Sequence, residues 1–136
     1  MNNTRFATAI HILTLLAKQP EEWLSSDYIA GSISINPVVV RKELIVLNGV
    51  GLTISKKGKE GGVQLAKPTN EILLSDIYIA VKNHEILGKK NQHPNPKCPV
   101  GRQINDTLSE LYQTTDHLVI NSLEQITLED FCHRIK

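Results

Sequence analysis

The sequence predicts a mainly α fold with one small β-hairpin, and three observations support this. A capped helix covers 37–49, a basic glycine-rich hairpin follows it, and a long helix with heptad spacing lies near the C-terminus. Helix 1 covers about 4–18, with Phe6, Ile10, Leu13 and Ala17 on one stripe and Ala9, Ile12 and Leu16 widening the apolar arc beyond it. A helix apolar on that many sides is covered on more than one. The segment LSSDYIAGSISI then gives a short helix capped by Ser25 or Ser26, followed by a turn around 31–35.

The next helix starts with Asn36 as N-cap and Pro37 in the first helical position, and Gly49 and Gly51 end it. Val40, Leu44 and Leu47 recur at i, i+4 and i+7 and mark its buried face, while Val38, Arg41, Lys42 and Ile45 fall on the opposite side. Two helices joined by so tight a connection have helix-turn-helix spacing. In that arrangement the second helix meets phosphates or base edges in a major groove. Taken alone, the pattern also fits an ordinary amphipathic helix with solvated charges.

The hairpin decides between these readings. Residues 52–56 read as a strand, 57–62 as a turn and 63–65 as a returning strand closed by Pro68. The turn KKGKEGG carries Lys56, Lys57 and Lys59, which offer charge to phosphates or a minor groove. Gly58, Gly61 and Gly62 are expected at positive φ, letting the backbone lie close to a polyanion. An isolated hairpin of this kind is commonly just solvated, but after a capped helix pair it reads as a wing. The chain is therefore expected to be a winged helix-turn-helix, with Asn36, Val38, Arg41, Lys42, Lys56, Lys57 and Lys59 as candidate contacts to double-stranded DNA.

Past residue 68 a helix over about 101–121 places Ile104, Leu108, Leu111, Thr115 and Leu118 at alternating steps of four and three, the rhythm of a helix–helix seam. Such a seam can pack within its own subunit or against a second one, and spacing alone leaves both open. A last helix begins at Thr127 with Asp130 three residues on, a capping-box variant, and offers Leu128, Phe131 and Cys132 to helix 1 or to a partner.

Composition bounds the function classes. At 136 residues and 40% hydrophobic, the chain suits one compact unit, with a winged-helix region over 1–68 and connecting and dimerisation helices over 69–136. The net charge of +1 hides an asymmetry: residues 1–68 hold eight Lys or Arg against five Asp or Glu, and residues 69–136 hold seven against nine. The basic excess thus sits with the expected reading head. No apolar run approaches the roughly 20 residues of a membrane span, and the start MNNTRF lacks the regions of a signal peptide, so a cytoplasmic location and no membrane partner are expected. Two cysteines do not make a secreted disulfide framework, and reduced thiols are expected.

Three blocks carry a family resemblance: GKEGGVQLAKP at 58–68, ILLSDIYIAV at 72–81 and CPVGRQINDTL at 98–108. With them the chain resembles the winged-helix transcriptional regulators that include IscR, NsrR and CymR. The opening NTRFATAIHIL, the NPVVVRK helix start and the NPNPKCPVG loop place it nearest the YwnA-type branch. The resemblance extends over most of the chain and implies a homodimeric repressor or activator. Ile104, Leu108, Leu111 and Leu118 then become dimerisation residues, and a two-fold dimer predicts an inverted-repeat operator. With no activation segment, repression is the simpler expectation.

Relatives that carry an iron-sulfur cluster use three clustered cysteines before the long helix. Here that loop offers only Cys98, with His93 and His84 as the nearest other soft ligands, so no cofactor and no metal are expected. Cys98 precedes a helix N-terminus and is flanked by Lys97 and Arg102, surroundings that favour thiolate and make it a possible redox sensor. The alternative is a structural loop cysteine fixed by Pro96 and Pro99. Cys132 lies on an apolar face and reads as core. A small-molecule or protein effector docking between the halves of the subunit has no motif.

Two rivals remain. An enzyme using Cys98 as nucleophile with His93 or His84 as base would also need an orienting group and an oxyanion site. The sequence has no Walker loop, G-x-S-x-G, H-E-x-x-H or C-x-x-C, and no enzyme is expected. A winged-helix module that binds protein would turn the same cations toward acidic partners.

Overall fold

The structure is a computed structural model that describes residues 4–83 and 85–136; the first three residues of the MNNTRF start, and His84, lie outside the described residues. Helix α1 (Arg5–Lys18) runs through the centre, contacting α2, α3, α4, α6 and the wing. Its deepest residues are Ala9, Ile12, Leu13 and Leu16. The residues expected to widen the stripe are therefore its middle, and Phe6 and Ala17 lie at its half-buried edges. Each fully buried Ile or Leu contributes about 1.5–3 kcal/mol by removal from water.

Helix α2 (Ser26–Ile33) is capped by Ser25, whose hydroxyl accepts from the Tyr28 amide at 3.1 Å. Gly31 lies inside this helix, not in the turn where the sequence reading put it. The turn is made by Ser34, at φ 65° and the lone non-glycine residue with positive φ among the described residues. Ser34 and Ile35 both donate their amides to the Ala30 carbonyl, closing the end of α2 before the next cap. Helix α3 (Pro37–Gly49) follows at once. Its Asn36 side chain accepts from the Val38 amide at 2.9 Å, and Pro37 occupies the first turn where no amide is needed.

Strands β1 (Thr53–Lys56) and β2 (Gly62–Leu65) form an antiparallel hairpin, with Thr53 opposite Leu65 and Lys56 opposite Gly62. Sequence patterning missed a rung on the other side of β2. Leu24, just before α2, exchanges both backbone hydrogen bonds with Val63, at 2.9 and 3.1 Å. One residue of bridging carries no strand signature, yet it ties the wing to the helix-turn-helix. Gly62 sits at φ 153° against that rung, and a Cβ there would come within 2.7 Å of the Trp23 and Leu24 backbone. Gly61 does not have the positive φ expected of it; its hydrogen is needed because a Cβ would collide with the Lys56 carbonyl.

A 3-10 turn (Thr69–Glu71) leads to helix α4 (Leu74–Val81), where the Asp76 carboxylate accepts from the Leu73 amide at 2.9 Å. Helix α5 (Pro99–Leu123) is one turn longer than the sequence indicates, and α6 (Leu128–His133) closes the chain with a Thr127–Asp130 capping box. Leu74 and Leu128 donate to the Ile126 and Ile72 carbonyls at 2.9 and 2.8 Å, pinning α6 beside the start of α4. Leu128 and Cys132 pack into the core along α1, as the apolar face of α6 implied.

Candidate nucleic-acid interface

Helix α3 divides its two faces cleanly. Val40, Leu44 and Leu47 are buried, while Val38, Arg41, Lys42 and Ile45 face solvent. What holds the helix in place was not legible from its apolar pattern: Glu43 is buried, and its two carboxylate oxygens accept from the Arg5 guanidinium at 2.9 Å each. This fork fixes the roll of α3 against α1 and raises the Arg5 pKa above its ordinary value, chiefly through the hydrogen bond. A short cleft of about 310 Å³ beside the pair is lined by Arg5, Val39, Lys42, Glu43 and Val46. Arg41 lies 3.7 Å from Asp27 of α2, and both are exposed.

The far end of α3 is fastened to the wing. The Asn48 amide donates to the Ser55 hydroxyl at 2.9 Å and its carbonyl accepts from Thr53, so the base of the hairpin follows any movement of the helix. Lys57 and Lys59 are exposed at the tip, where Gly58 takes φ 104°. Lys56 differs from its neighbours: its ammonium lies 5.5 Å from the Trp23 ring centroid, close enough for a cation–π contact. The candidate contacts Asn36, Val38, Arg41, Lys42, Lys56, Lys57 and Lys59 thus all lie exposed on α3, its cap and the hairpin, and Asn36, Arg41 and Lys56 also have structural partners.

Helix α5 is attached to the rest by few residues. Only Tyr112 and Asp116 are buried along its 25 residues. Asp116 accepts from Lys82 at 2.5 Å, from the Ile86 amide at 3.1 Å and from the Tyr78 hydroxyl at 3.3 Å, joining α5 to α4 and the segment after it. Burial pushes the Asp116 carboxyl upward, but the hydrogen bonds from Lys82 and Ile86 outweigh it and hold the group below the usual carboxylate range. Lys82 is raised, chiefly by its hydrogen bond to Asp116. Flanking that anchored face, Ile104, Leu111 and Leu118 are exposed, and Leu108, one turn before Tyr112, is half-buried. Val100, also exposed, extends this stripe by a turn that sequence reading had not included.

Cys98 is the exposed N-cap residue of α5, donating its amide to Asn95 at 3.1 Å and accepting from Arg102 at 2.9 Å. Cys132 is buried against α1, and burial raises its thiol pKa. His93 is exposed; His84 lies outside the described residues.

A tight helix pair whose second helix shows a cationic face, followed by a hairpin bonded to that helix, defines the class: a winged helix-turn-helix DNA-binding fold. Within that class, the family described as "Rrf2: Iron-dependent Transcriptional regulator" matches residues 2–134, and the chain belongs to it. Its members are transcriptional regulators. YwnA of Bacillus subtilis, provisionally named an HTH-type transcriptional regulator, is 37% identical over 99% of both chains. A crystal structure provisionally described as that of a DNA-binding protein is 35% identical, with a TM-score of 0.74 over 93% of this chain and 97% of its own. CymR of B. subtilis, described as the global cysteine regulator, shares the fold at 21% identity and a TM-score of 0.73, over 100% of this chain and 98% of its own.

The family description names iron, so the donor set matters. Among the described residues no three His, Cys, Asp or Glu side chains come together in a way that could hold a metal ion. A cluster draws on three or four thiolate-type ligands, and here one of two cysteines is at the surface and the other in the core. These residues do not fit such a group. No described helix is long and apolar enough to cross a membrane.

Proposed function

We propose that this transcriptional regulator acts in the cytoplasm as a homodimer, paired through α5, that reads an inverted-repeat operator with α3 and the wing of each subunit. The observation that carries this reading is the exposed stripe on α5: Leu111 is 52% exposed and Leu118 65%, in heptad register with Ile104, and Val100 lies one turn before Ile104. From residue 100 to 118 the stripe runs about 27 Å. An aliphatic surface that long on one chain calls for a second chain. Residues 1–68 then form the reading region and 69–136 the connecting and pairing region.

Within the reading region, Arg41 and Lys42 supply base-edge or phosphate contacts from α3, and Lys57 and Lys59 supply phosphate contacts from the wing. Lys56, held near Trp23, sets the wing's approach, and Asn36 shapes the first turn of α3. Repression by occupying the operator is the mode proposed. The donor set supports operation without a cofactor.

Sedimentation equilibrium, together with gel shifts on the protein's own upstream DNA at rising salt, tests the proposal. A dimer whose DNA affinity falls steeply with salt supports it. A monomer, or no shift of double-stranded DNA at low salt, removes it.

A second reading concerns the signal. Cys98 stands exposed at the head of the pairing helix while Cys132 is enclosed, so oxidation at Cys98 would be felt at the α5 seam. Mass spectrometry after limited alkylation should label Cys98 well before Cys132. Equal labelling removes the sensor reading and leaves an unidentified effector.

A further inference from the structure

Helix α3 alternates two kinds of exposed residue. Val38 is 49% exposed and Ile45 72%, with Arg41 and Lys42 exposed between them. Seven residues are close to two helical turns, so Val38 and Ile45 return to one face about 10.5 Å apart. Neither is a spare core residue, because Val40, Leu44 and Leu47 already fill the buried side. The position of Val38 is fixed: its amide is bonded to the Asn36 cap, and Pro37 stiffens the same turn.

A single exposed aliphatic residue needs no explanation. Two on one face, with cations between them, call for a surface that offers anionic rims and isolated apolar points. The major groove of B-DNA is such a surface, and its apolar point is the C5-methyl group of thymine. We infer that Val38 and Ile45 pack on thymine methyl groups, so that each half-site carries A·T pairs at two positions about three base steps apart, flanking the pairs faced by Arg41 and Lys42. This rests on the proposed reading of DNA by α3 and names the bases it selects.

The test begins by selecting duplexes from a randomised pool with the full chain. Each thymine of the enriched half-site is then replaced by deoxyuridine, which removes only the methyl group. Burying one methyl corresponds to about a fourfold change in affinity, so replacement at two positions should each weaken binding about fourfold. In Val38→Ala the penalty at one position should vanish, and in Ile45→Ala the penalty at the other. Both side chains are exposed, so the thermal melts of the two variants should match the parent. Enriched sites without thymine at such positions, or deoxyuridine penalties that are absent or unchanged in both variants, overturn the inference while the DNA reading stands. A pool from which nothing is enriched overturns both.

Discussion

Helices α3 and α5 both carry an aliphatic stripe, and the two stripes end up in opposite surroundings. That of α3 closes on α1 and the wing, whereas that of α5 lies open, and the helix is held to its own subunit by Tyr112 and the Asp116 cluster. A stripe at i, i+4 and i+7 thus says only that a helix wants a neighbour. The rest of the chain decides whether the neighbour is internal. In α3 the bidentate Arg5–Glu43 pair and the Asn48 clamp to β1 fix the helix in its own subunit; in α5 Tyr112 and Asp116 anchor one face, and Ile104, Leu111 and Leu118 lie exposed beside it.

The sharpest way to test that contrast is to truncate one leucine in each stripe. Leu47→Ala empties a fully enclosed site in α3 and should cost about 3 kcal/mol of stability, read as a lower urea midpoint. Leu111→Ala on α5 should leave the stability of the isolated subunit nearly unchanged. Placing charge on the open stripe, with Leu111→Glu and Leu118→Glu together, should weaken pairing about a hundredfold by sedimentation, and the melting temperature should lose its concentration dependence. If α5 instead packed within its own subunit, these substitutions would lower the melt at every concentration.

Removing the tether of α5 has a smaller effect. Asp116→Ala should cost about 2 kcal/mol, less than breaking a fully enclosed pair because Lys82 is about a third exposed and regains water. The pH response follows from the directions of the two shifts. Asp116 is lowered, so its contribution is present above the ordinary carboxylate value of about 4 and is lost as pH falls through its lower folded value. Lys82 is raised, so its contribution is present below the ordinary lysine value of about 10.4 and is lost as pH rises through its higher folded value. Urea melts should show the wild-type advantage over Asp116→Ala across that window and shrinking beyond both ends.

The smallest effect separates the cations of the reading half. Lys57→Ala and Lys59→Ala should each lower the salt slope of binding by about 0.9 without changing the preferred sequence, whereas Arg41→Ala should also relax base preference. Gel shifts over a salt series give both quantities, and an unchanged slope in the wing variants would remove the phosphate role.

Much of this was legible in local chemistry. Asn36–Pro37 at the start of α3, Gly49 and Gly51 at and just past its end, and the Thr127–Asp130 box of α6 act within a few residues, so the chain announces them directly. Contacts between distant residues were not legible. The Leu24–Val63 rung, the Arg5–Glu43 fork and the Asp116 cluster join residues 30 to 40 apart, and nothing in the composition of either end marks the pairing. The turn after α2 shows a subtler failure: it was expected around 31–35, but Gly31 sits in the helix and Ser34 takes the positive φ, because the two amide bonds to Ala30 favour ending the helix there.

On the proposed reading, two subunits joined along α5 present α3 and the wing to one duplex. Sedimentation velocity of the full chain with a duplex enriched from a randomised pool, at low ionic strength, measures it directly. Two chains per duplex, falling to one when Leu111 and Leu118 are both changed to Glu, is the predicted result; one chain per duplex in the unmodified protein, or no complex at all, would contradict it.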